Sequence, residues 1–176
     1  MFSDIGVSKD INISFNKHMT ASRVGGKVLD FNVLVLTSGS WPLKEAHPLT
    51  LPAELEVCRK NFTQFYMLSN QGKKLQWLTQ QGVSKGELVT GCFGKRYTLM
   101  ASTPQISILM LFNKRESFAV EELLANTNIS LELLNNNLDL LVKTKILICK
   151  EAGEQQPNIS HVVLISSNIS LPPQEA

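Results

Sequence analysis

Asp30-Phe-Asn-Val-Leu-Val-Leu-Thr-Ser-Gly-Ser-Trp-Pro-Leu43 is the stretch that decides how the chain is read. Five of its first seven residues are apolar, and the polar turn Ser38-Gly39-Ser40 follows before a Trp-Pro step. A run that is apolar on both alternating faces reads as a short buried strand, here Phe31–Thr37, with Ser-Gly-Ser as its stop. On physical grounds alone this is a central strand, and it carries no chemistry.

Upstream, Ser8 is expected to cap a helix with Ile11, Phe15 and Met19 on one face, fading by Thr20. The Gly25-Gly26 stretch is then a loop. Downstream, Pro42 and Pro48 bracket a second loop, and Pro52 suits the first turn of a helix. In that helix Leu55, Cys58, Phe62 and Phe65 form the buried stripe, and Gln71-Gly72 ends it. Three strand-like runs follow: Lys74–Thr79, Glu87–Phe93 and Arg96–Ala101, the last two a hairpin about Gly94-Lys95. A strand, a helix and a meander make an α+β unit over residues 28–102.

The third part has a different rhythm. Thr103 caps and Pro104 opens a helix with Ile106, Leu109, Met110 and Phe112. Phe118-Ala-Val is a brief extended step, and Glu121 to Thr127 is a short helix. Ser130 caps a longer one whose Leu131, Leu134, Leu138 and Leu141 face inward, with Lys143 and Lys145 at its C-terminal end. Ile146–Lys150 and His161–Ser166 read as strands. Three helices followed by a β-ribbon is the order of a winged helix, over residues 103–166, and 167–176 is a polar tail. The fold class is therefore α+β: a small, mostly antiparallel sheet with a packed helix, then a winged-helix unit.

Composition narrows the functions. At 176 residues and 43% apolar, the chain can bury a real core as one domain or two small ones. Only 18% of residues are charged and the net charge is +2, which argues against a strongly electrostatic partner such as a nucleic-acid backbone. No apolar run approaches ~18 residues, so no membrane span or membrane partner is expected. The start, Met-Phe-Ser-Asp-Ile, has neither the basic nor the apolar region of a signal peptide. Cys58, Cys92 and Cys149 are far apart and read as free thiols in a reducing compartment. Without a Cys-x-x-Cys pair no zinc site is expected. The Asn-x-Ser/Thr triplets at Asn12, Asn61, Asn128, Asn158 and Asn168 read as chance in an Asn-rich chain.

No constellation points to catalysis or to a cofactor. His18, His47 and His161 stand in separate elements, without metal-ligand spacing. Gly91-Cys-Phe-Gly94-Lys95 is a hairpin turn rather than a phosphate loop, since the Ser/Thr after Lys is absent. Glu121-Glu122 suits the first turn of a helix, where carboxylates favour the dipole. A winged helix raises nucleic acid, which needs cationic or amide side chains on its second helix. That helix offers Asn135, Asn136 and Asn137, but also Glu132 and Asp139, with Lys143 alone at its end. Such a face repels phosphate. Trp41, Tyr66, Trp77 and Tyr97 read as core residues or as interface anchors.

Beyond periodicity, a set of ordered motifs carries a family resemblance. These are Met1-Phe-Ser-Asp-Ile-Gly-Val-Ser-Lys-Asp-Ile-Asn12, Val35-Leu-Thr-Ser-Gly-Ser-Trp-Pro42, Leu51-Pro-Ala-Glu-Leu-Glu56, Phe62-x-x-Phe-Tyr66, Gly72-Lys-Lys-Leu-Gln-Trp77, Lys85-Gly-Glu-Leu-Val-Thr90, Tyr97-Thr-Leu-x-Ala-Ser-Thr103 and Ile108-Leu-Met-Leu-Phe-Asn113. Over residues 1–150 the chain resembles the cullin homology region, nearest to the cullin-1 branch that scaffolds SCF-type ubiquitin ligases. The resemblance implies a helical bundle, of which residues 1–20 would be the terminal helix, followed by an α+β part and a winged-helix part. It implies a non-catalytic scaffold that holds a RING-finger protein of the Rbx type and, through it, a ubiquitin-conjugating enzyme. Such a scaffold supports ubiquitination and ubiquitin-dependent degradation in the cytoplasm and nucleus.

In that family a strand of the RING protein joins the α+β sheet, a case of β-augmentation. The implied surface here is one sheet of the four runs Phe31–Thr37, Lys74–Thr79, Glu87–Phe93 and Arg96–Ala101. Its candidate contact residues are Val33, Val35, Leu75, Trp77, Leu88, Val89, Tyr97 and Leu99. No catalytic residue, cofactor or metal ligand is implied. The stretch departs from the family at Lys73 and Gln76, where Arg and Thr are usual, at Pro104, where Phe is common, and after Glu151. Measured against a whole cullin it would be truncated at both ends, without the adaptor-binding arm or the modified lysine. Two other readings stand beside this one: a winged-helix nucleic-acid-binding protein, and a cullin remnant that sequesters the RING partner. Trp41, Phe65, Leu134 and Leu138 are expected to be buried.

Overall fold

A computed structural model describes residues 2–21, 29–42, 48–79, 84–90, 95–150, 161–164 and 169–170. They fall into two compact units. The first takes the described residues up to 42 together with Glu54–Gln76, and the second takes 48–53 and the described residues from Trp77 onward.

The first unit is built on helices α1 (Phe2–Ala21) and α2 (Ala53–Ser69). Its core is aromatic. Phe15 of α1 meets Phe62 edge-on at 5.1 Å and Phe65 at 5.5 Å, and Phe62 stacks on Tyr66 at 6.2 Å. Phe31, on the chain between the helices, adds a further edge contact to Phe62 at 6.5 Å. Such offset and edge-on pairs match the ring quadrupoles. The buried stripe of α2 is centred on Phe62 and Tyr66, one helical turn apart. Leu55, Cys58 and Phe65 are only half-buried, which turns the expected stripe partly toward its edge. Burial still raises the Cys58 thiol above its ordinary pKa. On the outer surface of α2, Glu56 pairs with Arg59 at 2.6 Å, and that guanidinium holds the Glu56 carboxyl below the usual range. Gly72 follows the helix with φ +83°, a backbone conformation that glycine adopts without strain.

Two expectations for this unit are corrected. Ser8 is not a cap: α1 begins at Phe2, and Ser8 lies buried inside it. The helix extends upstream because Asp4 sits in its first turn, where a carboxylate is favoured. Trp41 is half-buried, since its indole nitrogen must reach Asp4.

The second unit begins with the antiparallel pair β1 (Lys85–Thr90) and β2 (Tyr97–Ser102), in register from Lys85↔Ser102 to Thr90↔Tyr97. Among the described residues the ladder runs to Thr90↔Tyr97, and the turn expected at Gly94-Lys95 falls on a segment that lies partly outside them. Gly94 and Cys92 lie outside the described residues. Next comes α3 (Thr103–Leu111), whose cap is Ser102 rather than Thr103. Ser102 Oγ accepts from the Gln105 N–H at 3.4 Å, while Gln105 Oε1 accepts from the Ser102 N–H at 2.9 Å. This reciprocal pairing satisfies donors that a helix start leaves open. Ile106, Ile108, Leu109 and Phe112 are buried. Ile106 lies so near β1 that a Cβ on Gly86 would meet its Cδ1 at 3.2 Å.

The chain continues through β3 (Ser117–Ala119), α4 (Val120–Thr127), α5 (Leu131–Lys143), β4 (Leu147–Lys150), β5 (His161–Leu164) and β6 (Ile169–Ser170). The strands form two sheets, ordered β2-β1-β6 and β3-β5-β4, with every pairing antiparallel. Ser130 caps α5 as expected, and Leu134, Leu138 and Leu141 are buried. Leu131 is exposed, because the first turn of α5 sits beyond the core. Arg115 lies 4.4 Å over the Phe118 ring and pairs with Glu122 at 2.9 Å, linking β3 to α4. No helix among the described residues is long and apolar enough to cross a membrane.

The small antiparallel sheet of the α+β reading is present, but the four runs do not build it together. Glu87–Phe93 and Arg96–Ala101 overlap β1 and β2. Phe31–Thr37 and Lys74–Thr79 are extended or irregular and belong to neither sheet. Lys74–Thr79 alternates in burial at its start, with Leu75 and Trp77 half-buried between exposed Lys74 and Gln76. Side-chain burial alone is enough to produce that periodicity.

Candidate functional site

The Phe31–Thr37 run has a backbone partner, but the partner is a row of side chains. Asn12 Nδ2 donates to the Val33 carbonyl at 2.9 Å, and Asn12 Oδ1 accepts from the Val33 N–H at 2.9 Å. Ser8 Oγ accepts from the Val35 N–H at 2.9 Å and lies 3.0 Å from the Val35 carbonyl. The same oxygen lies 2.7 Å from the Asp4 carbonyl, so the single hydroxyl proton has two acceptors in reach. Asp4 Oδ2 accepts from the Thr37 N–H at 3.1 Å and from Trp41 Nε1 at 2.9 Å, and Asp4 Oδ1 accepts from Thr37 Oγ1 at 3.2 Å.

The spacing explains the fit. Four residues of helix rise about 6 Å, and two residues of an extended chain rise about 6.6 Å. Asp4, Ser8 and Asn12 therefore meet Thr37, Val35 and Val33 in antiparallel order. Each four-residue step also over-rotates the helix by about 40°, which confines such a row to roughly three rungs. The hydrogen bonds from Trp41 and Thr37 hold the Asp4 carboxyl below its ordinary pKa.

The opposite edge of the run is unpaired among the described residues. In extended backbone, the N–H and C=O groups of alternate residues point to opposite sides. With Val33, Val35 and Thr37 turned to α1, those of Asn32, Leu34 and Leu36 turn away. Among the described residues no backbone hydrogen bond reaches these three. Leu34 is 47% exposed beside them. Among the described residues a second unpaired edge belongs to β2, the outer strand of its sheet, where Tyr97 and Met100 are exposed.

The eight sequence-derived contact residues are thus divided. Val33, Val35 and Leu75 belong to the first unit, whereas Trp77, Leu88, Val89, Tyr97 and Leu99 belong to the second. Val33 and Val35 turn their backbone to α1 and are half-buried. Leu88 is fully buried in the core, so its side chain has no surface to offer. Val89 and Leu99 are half-buried and Tyr97 is exposed.

Sequence reasoning missed Asp4, Ser8 and Asn12. Their signal was present as polar residues at four-residue spacing on a helix preceding an apolar run. Asn12 also heads one of the Asn-x-Ser triplets, and its amide is occupied by Val33. On α5, Asn137 is buried and donates to the Leu133 carbonyl at 2.7 Å, which removes it from any reading face. Among the described residues no group of His, Cys, Asp or Glu is placed to hold a metal ion.

Comparison with known proteins gives this geometry a family. The profile described as the cullin alpha+beta domain matches residues 35–168. Cullin-1 of Caenorhabditis elegans is 34% identical over 168 residues, covering 96% of this chain and 21% of that protein. Cullin-1 of Dictyostelium discoideum is 38% identical over 152 residues, covering 84% and 20%. Cullin-4A of Homo sapiens is 32% identical over 159 residues, covering 88% and 20%. The chain spans about a fifth of the length of these relatives. It belongs to the cullin family, as a cullin homology region that includes the family's alpha+beta domain.

Proposed function

We propose that this chain is a non-catalytic scaffold module of a cullin-type ubiquitin ligase. It holds a RING-finger protein of the Rbx type, through which a ubiquitin-conjugating enzyme is recruited, in the cytoplasm and nucleus. Family membership over most of the chain is the observation that carries this reading. The geometry supports it through open backbone edges at Asn32, Leu34 and Leu36 and along β2, since an extended partner segment binds by completing such edges. The helix–strand–helix–helix–strand–strand order from α3 to β5, with its sheet ordered β3-β5-β4, supports reading residues 103–166 as a winged helix.

The exposed side of α5 carries Glu132 and Asp139 against Lys143, and Asn137 is buried, so the nucleic-acid reading gains no support. A pull-down with an Rbx-type RING protein tests the proposal. Retention at micromolar concentration is expected, and no detectable binding removes the functional claim. A ubiquitin-chain assay then separates a productive scaffold from one that only sequesters the RING protein.

A further inference from the structure

We propose that Asp4, Ser8 and Asn12 are positioning residues. They act as a surrogate strand that holds Phe31–Thr37 extended and blocks one of its edges, leaving the Asn32, Leu34 and Leu36 edge for strand addition. The inference deepens the function proposed above, and only its partner-binding arm rests on that reading.

An apolar seven-residue run with both edges free would pair on either side and in either register, including with a second copy of itself. Here the Asn12 amide meets both backbone groups of Val33, and the Ser8 hydroxyl meets both of Val35. Thr37 is anchored through its N–H and its hydroxyl to the two oxygens of Asp4. A side-chain ladder has no further edge of its own, so pairing cannot propagate beyond α1. The run is also ordered before a partner arrives, which lowers the entropy cost of binding. Ser8 is buried, so a lost hydroxyl would leave the Val35 N–H without its acceptor in a part-buried site.

Amide hydrogen exchange on the isolated chain tests the ladder directly. The expected pattern alternates: Val33, Val35 and Thr37 exchange slowly, and Asn32, Leu34 and Leu36 exchange fast. Ser8→Ala combined with Asn12→Ala should speed exchange at Val33 and Val35 by roughly tenfold or more, the factor for losing about one net hydrogen bond. Val7→Ala, on the exposed side of α1, should not. Should the double variant fail to fold, Asp4→Ala, at the outermost rung, should speed Thr37 alone. Asp4→Asn, which keeps an acceptor, should restore it. With an Rbx-type RING protein added, protection should appear at Leu34 and Leu36, and the double variant should bind it at least about tenfold more weakly. A wild-type chain that shows the alternation but binds no RING protein supports the ladder and removes the proposed function instead. Equal exchange at odd and even positions overturns the ladder, as does unchanged RING affinity and exchange in the double variant.

Discussion

Phe62→Ala is the sharpest perturbation of the first unit. The side chain is fully buried and joins α2 to Phe15 of α1 and to Phe31 of the extended run. Burying a Phe side chain is worth about 1.5–3 kcal/mol in transfer alone. Its ring also contacts Phe15, Phe31, Phe65 and Tyr66 at centroid distances of 5.1, 6.5, 6.4 and 6.2 Å. Each such pair adds about 0.5–1.5 kcal/mol, although a shared ring prevents simple addition. Truncation also leaves a cavity that the aromatic neighbours fill only partly, so the expected cost is about 3–5 kcal/mol. Leu68, on the same helix but 71% exposed, is the control, and Leu68→Ala should stay within about 0.5 kcal/mol. The chain has two tryptophans, one in each unit: Trp41 and Trp77. In a Trp77→Phe background, Trp41 fluorescence in a denaturant titration reports the first unit alone. A Phe62→Ala cost below about 1 kcal/mol, or equal to that of Leu68→Ala, would refute the aromatic-core account.

Three further outcomes follow from the geometry. Leu134 is fully buried in α5, so Leu134→Ala should cost about 2–5 kcal/mol, and a wild-type melting curve would show the helix phase to be wrong. Lys145 ends α5 with φ 60°, its N–H bonded to the Val142 carbonyl and that of Ile146 to the Leu141 carbonyl. Glycine takes this conformation without the Cβ penalty, so Lys145→Gly should stabilise by about 1 kcal/mol in a thermal melt. The Asp4 carboxyl titrates below its unfolded value, so its contribution is present above pH ~4 and is lost as pH falls through the folded pKa. The Trp41 indole proton should shift in NMR spectra across that acid range and stay fixed across it in Asp4→Asn.

The second unit was the more legible. In α5 the leucines recur at helical spacing, the cap is a serine and one face packs, so local pattern and tertiary structure agree on Leu134, Leu138 and Leu141. Leu131 was misplaced because periodicity gives a phase but not where the core stops. The β1–β2 pairing was legible because two short strand-like runs close in sequence pair locally. The extended run was read correctly as extended and wrongly as a sheet strand. Alternation records which side chains are buried, and Val33 and Val35 are half-buried beside exposed Asn32 and Leu34. It does not record what the backbone bonds to, and here that role falls to Asp4, Ser8 and Asn12, which lie more than twenty residues upstream of their partners. Ser8 was misread for a related reason: serine before an apolar periodic stretch is the usual cap signal, and only the distant Val35 reveals its other use. The division of the candidate surface between two units is a tertiary property with no local signature.

Calorimetric titration of the purified chain with an Rbx-type RING protein is the decisive test of the proposed scaffold role. A one-to-one complex of micromolar affinity or tighter is expected, little altered by salt because backbone pairing and apolar contacts would carry it. No heat of binding to the RING protein, together with binding to duplex DNA that collapses as salt is raised, would contradict it.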